Sequence, residues 1–243
     1  MSEDGRPTLT YFDLRGRAEA IRLLFTDQGI PFMDRRIRSA DSWQALRRSL
    51  PLRVLPHYSD PRLSLTQSHA ILRYLGSSVG MTPSDPVGQA PFDEALAAVS
   101  EVQEALWQFA WQPEYRNQPE LFINGALSRY LANLQRLYMR DDTEFWVGGR
   151  VSHVDYLAYA LTDELRAFFP EALAEFELLG AFHVQMAARP RISAYIGSRK
   201  QPVVFGMGLH GPKVDPAAVI NPGDVFENPW REPMPLAPQL EER

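Results

Sequence analysis

The chain contains no cysteine. Disulfides, thiolate-bound metals and cysteine nucleophiles are therefore excluded, and any thiol chemistry must use a thiol that the substrate brings. Positive charge is also scarce: 25 Lys and Arg stand against 30 Asp and Glu, a formal net charge of -5. A nucleic-acid binder normally shows a basic face, so nucleic acid is not an expected partner. An anionic ligand would have to be held by local groups rather than by the overall field. The His residues at 57, 69, 153, 183 and 210 lack ligand-like spacing, so no metal site is expected. No apolar run approaches the roughly 20 residues of a membrane span. The opening Met-Ser-Glu-Asp-Gly-Arg-Pro lacks the apolar stretch of a signal peptide. No membrane partner is expected, and the expected location is cytoplasmic.

What is present is an ordinary globular balance. There are 243 residues, 45% hydrophobic and 23% charged, enough for a large core in one or two domains. Residues 7–12 read as a strand. From Arg17 to Gln28, Ala18, Ile21, Leu24, Phe25 and Gln28 share one helical face, and Gly29 ends the pattern ahead of Pro31. Phe32 to Arg38 reads as a second strand, and Asp41 or Ser42 caps a short helix through Leu50. Leu55 to Ser59, a turn at Asp60-Pro61, and Leu63 to Leu65 read as a hairpin, followed by a helix from Gln67 to about Gly76. The order β-α-β-α-β-β-α packs as one mixed sheet with helices on it.

Ser77 to Pro91 is rich in Gly, Pro and Ser and reads as a linker. Beyond it the strand signals vanish. Phe92–Trp111, Glu120–Tyr138, Ser152–Phe169 and Glu171–Arg189 are long helical patterns, the third opening on the capping box Ser152-x-x-Asp155. The expected domains are residues 1–80, a linker 81–90, an all-helical unit 91–200 and an extended tail 201–243. That tail holds eight of the chain's 20 prolines, with apolar anchors such as Phe226 and Trp230 between them. A purely disordered linker would be more polar, so the tail is expected to pack on the chain's own surface beside the substrate pocket.

Gln67-Ser68 stands behind Leu55-Pro56 and opens the run Ala70-Ile-Leu-Arg-Tyr-Leu75. Free N–H groups and the dipole at a helix start favour negative charge, so this pair suits a carboxylate; a plain helix cap after a hairpin has the same look. The segment Tyr11-Phe-Asp-Leu-Arg-Gly-Arg17-Ala-Glu-Ala-Ile-Arg-Leu-Leu resembles the N-terminal motif of tyrosine-type glutathione transferases, the Pi class nearest. Trp43-Gln44, Val54-Leu55-Pro56, Leu65-Thr-Gln67-Ser68 and Phe145 to Tyr156 follow in that family's order. The resemblance spans about residues 7–200 and implies a thioredoxin-like α/β domain followed by an all-helical domain, in a two-fold homodimer.

It also implies a chemistry. The expected activity is transfer of the glutathione thiolate to a small hydrophobic electrophile, the reaction of detoxification; a glutathione-dependent isomerase or lyase, or a non-catalytic ligand-binding relative, are the alternatives. A redox transferase of the cysteine type is excluded by composition. Glutathione is the co-substrate and no metal takes part. By the resemblance Tyr11 is the catalytic residue: a phenol O–H aimed at the sulfur favours the thiolate by hydrogen bonding to the charged form. Arg17 lies near the thiol and the glutamyl end. Leu55, before a cis Pro56, pairs its backbone with the cysteinyl unit. Gln67 and Ser68 hold the glutamyl carboxylate. Trp43 donates its indole N–H to the glycine carboxylate, with Arg47, or Arg48, as the cation beside it. Glu104, or Glu101, approaches the glutamyl amine from the partner subunit. Phe12, Leu14, Trp107 and Trp111 wall the electrophile pocket.

Overall fold

The computed structural model describes residues 5–50, 52–111, 122–199, 204–205 and 219–220. The first domain is a four-stranded sheet in the order β2-β1-β3-β4, with β1 Thr8–Phe12, β2 Met33–Ile37, β3 His57–Ser59 and β4 Ser64–Thr66. β1 and β2 are parallel, as a strand-helix-strand crossover requires, and β3 and β4 add antiparallel, Thr10 facing His57 and His57 facing Thr66. Helices α1 Glu19–Gln28, α2 Ala40–Arg47 and α3 Ser68–Ser78 connect and cover it. The expected order of elements is the observed one, because each was read from local periodicity.

Local chemistry sets the boundaries. Gly29 adopts φ 65° after α1, and the N–H of Ile30 returns to Phe25 O at 2.9 Å, a glycine-dependent stop. α2 is capped one turn earlier than expected, by Ser39, whose Oγ accepts from the Ser42 N–H at 3.2 Å; Asp41 and Ser42 lie inside the helix, which ends at Arg47 rather than Leu50. The β3–β4 turn is tied by Asp60. Its carboxylate accepts from the N–H groups of Arg62 (2.8 Å) and Leu63 (2.9 Å) and from the hydroxyls of Tyr58 (2.8 Å) and Tyr74 (3.0 Å).

The second domain holds α4 Pro86–Trp111, α5 Ser128–Tyr138, α6 His153–Phe168, α7 Glu177–Ala187 and α8 Pro190–Ser198, with one π-helical turn at Phe122–Leu127 leading into α5. α4 starts within the stretch read as linker, because Pro86 occupies a first helical position, where a missing N–H costs nothing. The helix expected over Glu171–Arg189 is shorter, Glu177–Ala187. Residues 171–175 form turns, and a new helix starts at Pro190. The box at Ser152 is present: Ser152 Oγ accepts from Val154 N, and Asp155 accepts from Ser152 N at 2.7 Å and from Trp146 N at 3.0 Å. One apolar core runs through both domains, from Leu9, Ile21 and Phe25 to Leu106, Leu161 and Phe182. Val204–Phe205 pairs parallel with Val219–Ile220. The rest of the tail, Phe226 and Trp230 included, lies outside the described residues.

Candidate active site

Tyr11 stands near the end of β1, and its ring is almost wholly buried. After it the chain turns through a 3-10 turn, Gly16–Ala18, into α1. Gly16 has φ 43°, and a Cβ there would meet Tyr11 Oη at 2.9 Å and Leu14 Cδ1 at 2.6 Å. Only a glycine lets the backbone come this close to the hydroxyl. The approach places the Arg17 N–H on Tyr11 Oη at 3.2 Å. The oxygen accepts this bond, while the O–H proton has no acceptor among the described residues. Burial pushes the phenol above its ordinary range, against the Arg17 N–H and the charges of Arg17 and Arg22. Tyr11 is thus a neutral phenol at physiological pH with a donor to spare.

The connection is held by Arg22, which is fully buried on α1. Its guanidinium donates to Leu14 O at 2.8 Å and Arg15 O at 3.2 Å, and pairs with Asp34 and Glu19. It therefore fixes the loop that carries Leu14 and Gly16. The resemblance quoted Arg22 within the motif, but its role as the loop's anchor becomes visible only once its contacts are seen.

Arg17 points the other way, to the second domain. Its guanidinium lies 4.3 Å over the Trp107 ring and bonds Glu104 Oε2 at 2.6 Å. Glu104 is thus engaged by Arg17 of its own chain. Trp107 is buried and forms the platform beneath that guanidinium. Under the platform the Trp107 indole N–H donates to Glu164 Oε2 at 3.2 Å, and so does the Gln103 amide at 3.2 Å. Glu164 is 1% exposed, and its Oε1 has no partner among the described residues. Burial lifts its carboxyl to about 8, against those two donors. No motif marked Glu164: a single Glu inside an otherwise apolar helix face was the only available signal.

The start of α3 faces this group. Gln67 takes φ 72° and ψ 109°, an unusual backbone for a non-glycine residue, and its side chain caps nothing. Such conformations gather at ligand sites. Ser68, buried, is the first helical residue, and next to it His69 bonds Ser100 Oγ through Nε2 at 3.0 Å. Burial and the nearby Arg17 charge keep His69 neutral.

A second neighbourhood adjoins the first through Phe12, whose ring is 5.6 Å from Tyr11 and 5.4 Å from Trp43, edge-on in both pairs. Trp43 is buried with Ile37 and Leu50, while Leu46 and Leu55 pack on the cluster. The Trp43 indole N–H has no acceptor among the described residues. Arg47 is half-buried in the last turn of α2, and Arg48 is exposed just after it. The Leu55-Pro56 peptide is cis, as the resemblance implied. Tyr11, Arg17, Glu104 and Trp107 thus form one contact group, and Phe12, Trp43 and Leu55 the adjoining one. Leu14 is buried beside Gly16. The Trp111 side chain lies outside the described residues. A separate polar cavity of about 320 Å³, lined by Arg15, Asp163, Arg166, Ala167, Pro170, His183 and Arg199, includes none of the expected binding residues. Among the described residues no cluster of His, Asp and Glu could hold a metal, and no helix is long and apolar enough to cross a membrane.

Comparison with known proteins places this arrangement. Residues 7–77 match the family described as glutathione S-transferase, N-terminal domain, and residues 100–199 match glutathione S-transferase, C-terminal domain. A glutathione S-transferase of Dirofilaria immitis is 31% identical over 200 residues, covering 80% of this chain and 95% of its own. Hematopoietic prostaglandin D synthase of Rattus norvegicus is 31% identical over 196 residues, 79% of this chain and 96% of its own. The solved Pi-class glutathione S-transferase of Onchocerca volvulus superposes with a TM-score of 0.76 at 27% identity, covering 86% of this chain and 99% of that one.

Proposed function

The chain belongs to the glutathione S-transferase family, and from that premise we propose that the Tyr11 site binds glutathione and directs its thiolate at a small hydrophobic electrophile. The observation that carries the reading is the Tyr11 hydroxyl: it accepts from Arg17 N–H, stays neutral through burial, and keeps its own proton for a ligand. A donor of that kind stabilises an anion in a low-dielectric site without reorganising. Thiolate, not thiol, is the nucleophile, so lowering the bound thiol's pKa raises the reactive fraction near neutrality. Holding the electrophile beside it supplies the rest through proximity.

The other residues divide glutathione between them. Ser68 and Gln67 take the glutamyl carboxylate at the start of α3. The paired Arg17 and Glu104 flank the glutamyl end, Glu104 from the same chain. The backbone of Leu55 meets the cysteinyl unit beside cis Pro56, and the Trp43 indole N–H and Arg47 take the glycine carboxylate. Phe12 and Leu14 border the electrophile, with Trp111 completing that wall. A cytoplasmic homodimer with a detoxifying role is the setting we assign, and sedimentation of the purified chain at micromolar concentration tests the dimer. The likeness to a relative named prostaglandin D synthase favours, as a second reading, a synthase acting on one metabolite.

Tyr11→Phe tests the reading directly. Glutathione affinity should hold while turnover of an aryl halide falls by about 1–3 kcal/mol of barrier, less than a hydrolase loses with an oxyanion donor because a thiolate is more diffuse. The bound thiol's pKa, followed by thiolate absorbance, should rise. Unchanged rate and pKa would take Tyr11 out of the mechanism. Activity confined to isomerisation of one metabolite, with no conjugate formed, would favour the second reading.

A further inference from the structure

Glu164 is a buried acid near the site with no part in the reading above. It comes from α6, in the second domain, yet sits behind the Tyr11 neighbourhood: its charge is among the influences on the Tyr11 phenol. Three contacts link it to the hydroxyl. Glu164 Oε2 accepts from the Trp107 indole at 3.2 Å, the Trp107 ring carries the Arg17 guanidinium at 4.3 Å, and the Arg17 N–H donates to Tyr11 Oη at 3.2 Å. The second acceptor bond, from Gln103, ties the carboxyl to α4 a turn away from Trp107.

We propose that Glu164 is a positioning residue of the glutathione site: through Trp107 it holds the guanidinium of Arg17, the residue whose backbone N–H meets Tyr11, and its charge state sets how readily the site accepts an anion at the Tyr11 hydroxyl. The proposal rests on the reading of Tyr11 as the thiolate donor. The Trp107 N–H bond to Glu164 orients the indole, and with it the face on which the Arg17 guanidinium stacks. The second role follows from burial. A carboxylate in a dry interior has no water to screen it, and a negative charge there opposes a second one nearby. Neutral Glu164 leaves the thiolate unopposed. Ionised Glu164 repels it. Gln103 and Trp107 from α4 bond Glu164, and the charged or titratable groups that act on it through space include Glu19 from α1, Asp163 on its own helix and Tyr11 from β1. Both neighbouring carboxylates, Glu19 and Asp163, act to keep it protonated, and burial lifts it to about 8. The change of charge therefore falls at mildly alkaline pH.

Two variants separate the roles in the full-length protein. Glu164→Gln keeps an acceptor for the two N–H donors but cannot ionise. Glu164→Leu keeps the volume but removes the acceptors. Glutathione affinity by calorimetry, and the bound thiol's pKa by absorbance, are measured from pH 6 to 10. Wild type should bind glutathione several-fold more weakly at pH 9.5 than at pH 7, and Glu164→Gln should lose most of that alkaline weakening while matching wild type at pH 7. Glu164→Leu, checked as folded by its circular dichroism, should lower kcat by about two- to tenfold, the range expected for loss of the Trp107 bond that bears on Arg17, and raise the thiol pKa. If Glu164→Gln keeps the wild-type alkaline profile, the electrostatic role is wrong. If folded Glu164→Leu keeps both kcat and thiol pKa, the positioning role is wrong. If wild type itself shows no thiolate signal with glutathione, the reading of Tyr11 fails and this proposal falls with it.

Discussion

At the scale of single residues, the site depends on Gly16 as much as on the side chains around it. A φ of 43° and the close approach to Tyr11 Oη and Leu14 Cδ1 leave no room for a Cβ. Left-handed backbone costs a non-glycine residue about 1–2 kcal/mol. The clash adds displacement of the hydroxyl, and an error of about 1 Å at a reacting group costs on the order of a hundredfold in rate. Gly16→Ala should therefore lower kcat more than tenfold while the melting temperature falls by only about 2–8 °C, the shift expected for that loss in a chain of this size. A lower melting temperature with wild-type kcat/KM would reduce Gly16 to a turn residue. Tyr11, Arg17, Trp43, Gln67 and Ser68, the proposed contact residues, were legible beforehand, because they stand in the order of a known set of motifs. Glu164 was not. A buried acid inside a helix has no spacing to betray it, and its meaning comes from two donors on another helix.

At the scale of elements, the β3–β4 turn shows how one acid organises a segment. Asp60 collects backbone N–H groups from Arg62 and Leu63 and hydroxyls from Tyr58 and Tyr74, and Arg62 Nη2 lies 3.2 Å away. Burial opposes its charge, but these donors outweigh it and hold the carboxyl well below the usual carboxylate range. A folded pKa below the unfolded one means that the unfolded chain binds more protons as the solution turns acid. The stabilisation is complete above the unfolded value of about 4 and is lost as pH falls through the folded one. Asp60→Asn should be less stable than wild type by about 1–3 kcal/mol in urea unfolding at pH 6, with the gap narrowing by pH 3. An equal gap at both pH values would mean that the turn does not depend on the charge. Helix ends were less legible than helix interiors. α2 took Ser39 as its cap because that side chain, not those of Asp41 or Ser42, precedes the first helical residue. The break after α6 was expected at Pro170, but the next helix starts six residues later than read, because residues 171–175 carry helix-compatible side chains yet fold into turns before Phe176.

At the scale of the molecule, α1 is the shared element. Its Glu19 receives Arg22 at 3.3 Å from within the first domain, and Arg199 at 3.0 Å and the Tyr195 hydroxyl at 3.2 Å from the second. Asp27, also on α1, receives the Tyr156 hydroxyl at 2.8 Å and Arg189 Nε at 2.8 Å. Glu19 and Arg199 are nearly sealed from water, so removing one partner strands a buried charge. Glu19→Ala should cost about 3 kcal/mol, the lower end for a broken buried pair because Arg22 keeps Asp34 and Arg199 keeps Asp163. Denaturation followed by tryptophan fluorescence and by circular dichroism should stay coincident in wild type and separate in the variant. Coincident transitions with wild-type stability would show that apolar packing alone joins the domains.

The sequence by itself determined the order of the elements, the two-part architecture, the absence of any protein thiol and the residues proposed to meet glutathione. Each of these is written in local periodicity, in turn chemistry, or in motifs whose order along the chain is the information. Only the tertiary structure decided that Glu104 answers Arg17 of its own chain, that Trp107 serves as a platform, that Arg22 anchors the loop after β1, and that Glu164 lies uncharged behind Tyr11 at neutral pH. These depend on which groups are brought together from distant parts of the chain and on how far water is excluded from them. Excluding water changes the charge of an acid, and no pattern of neighbours along the chain specifies it.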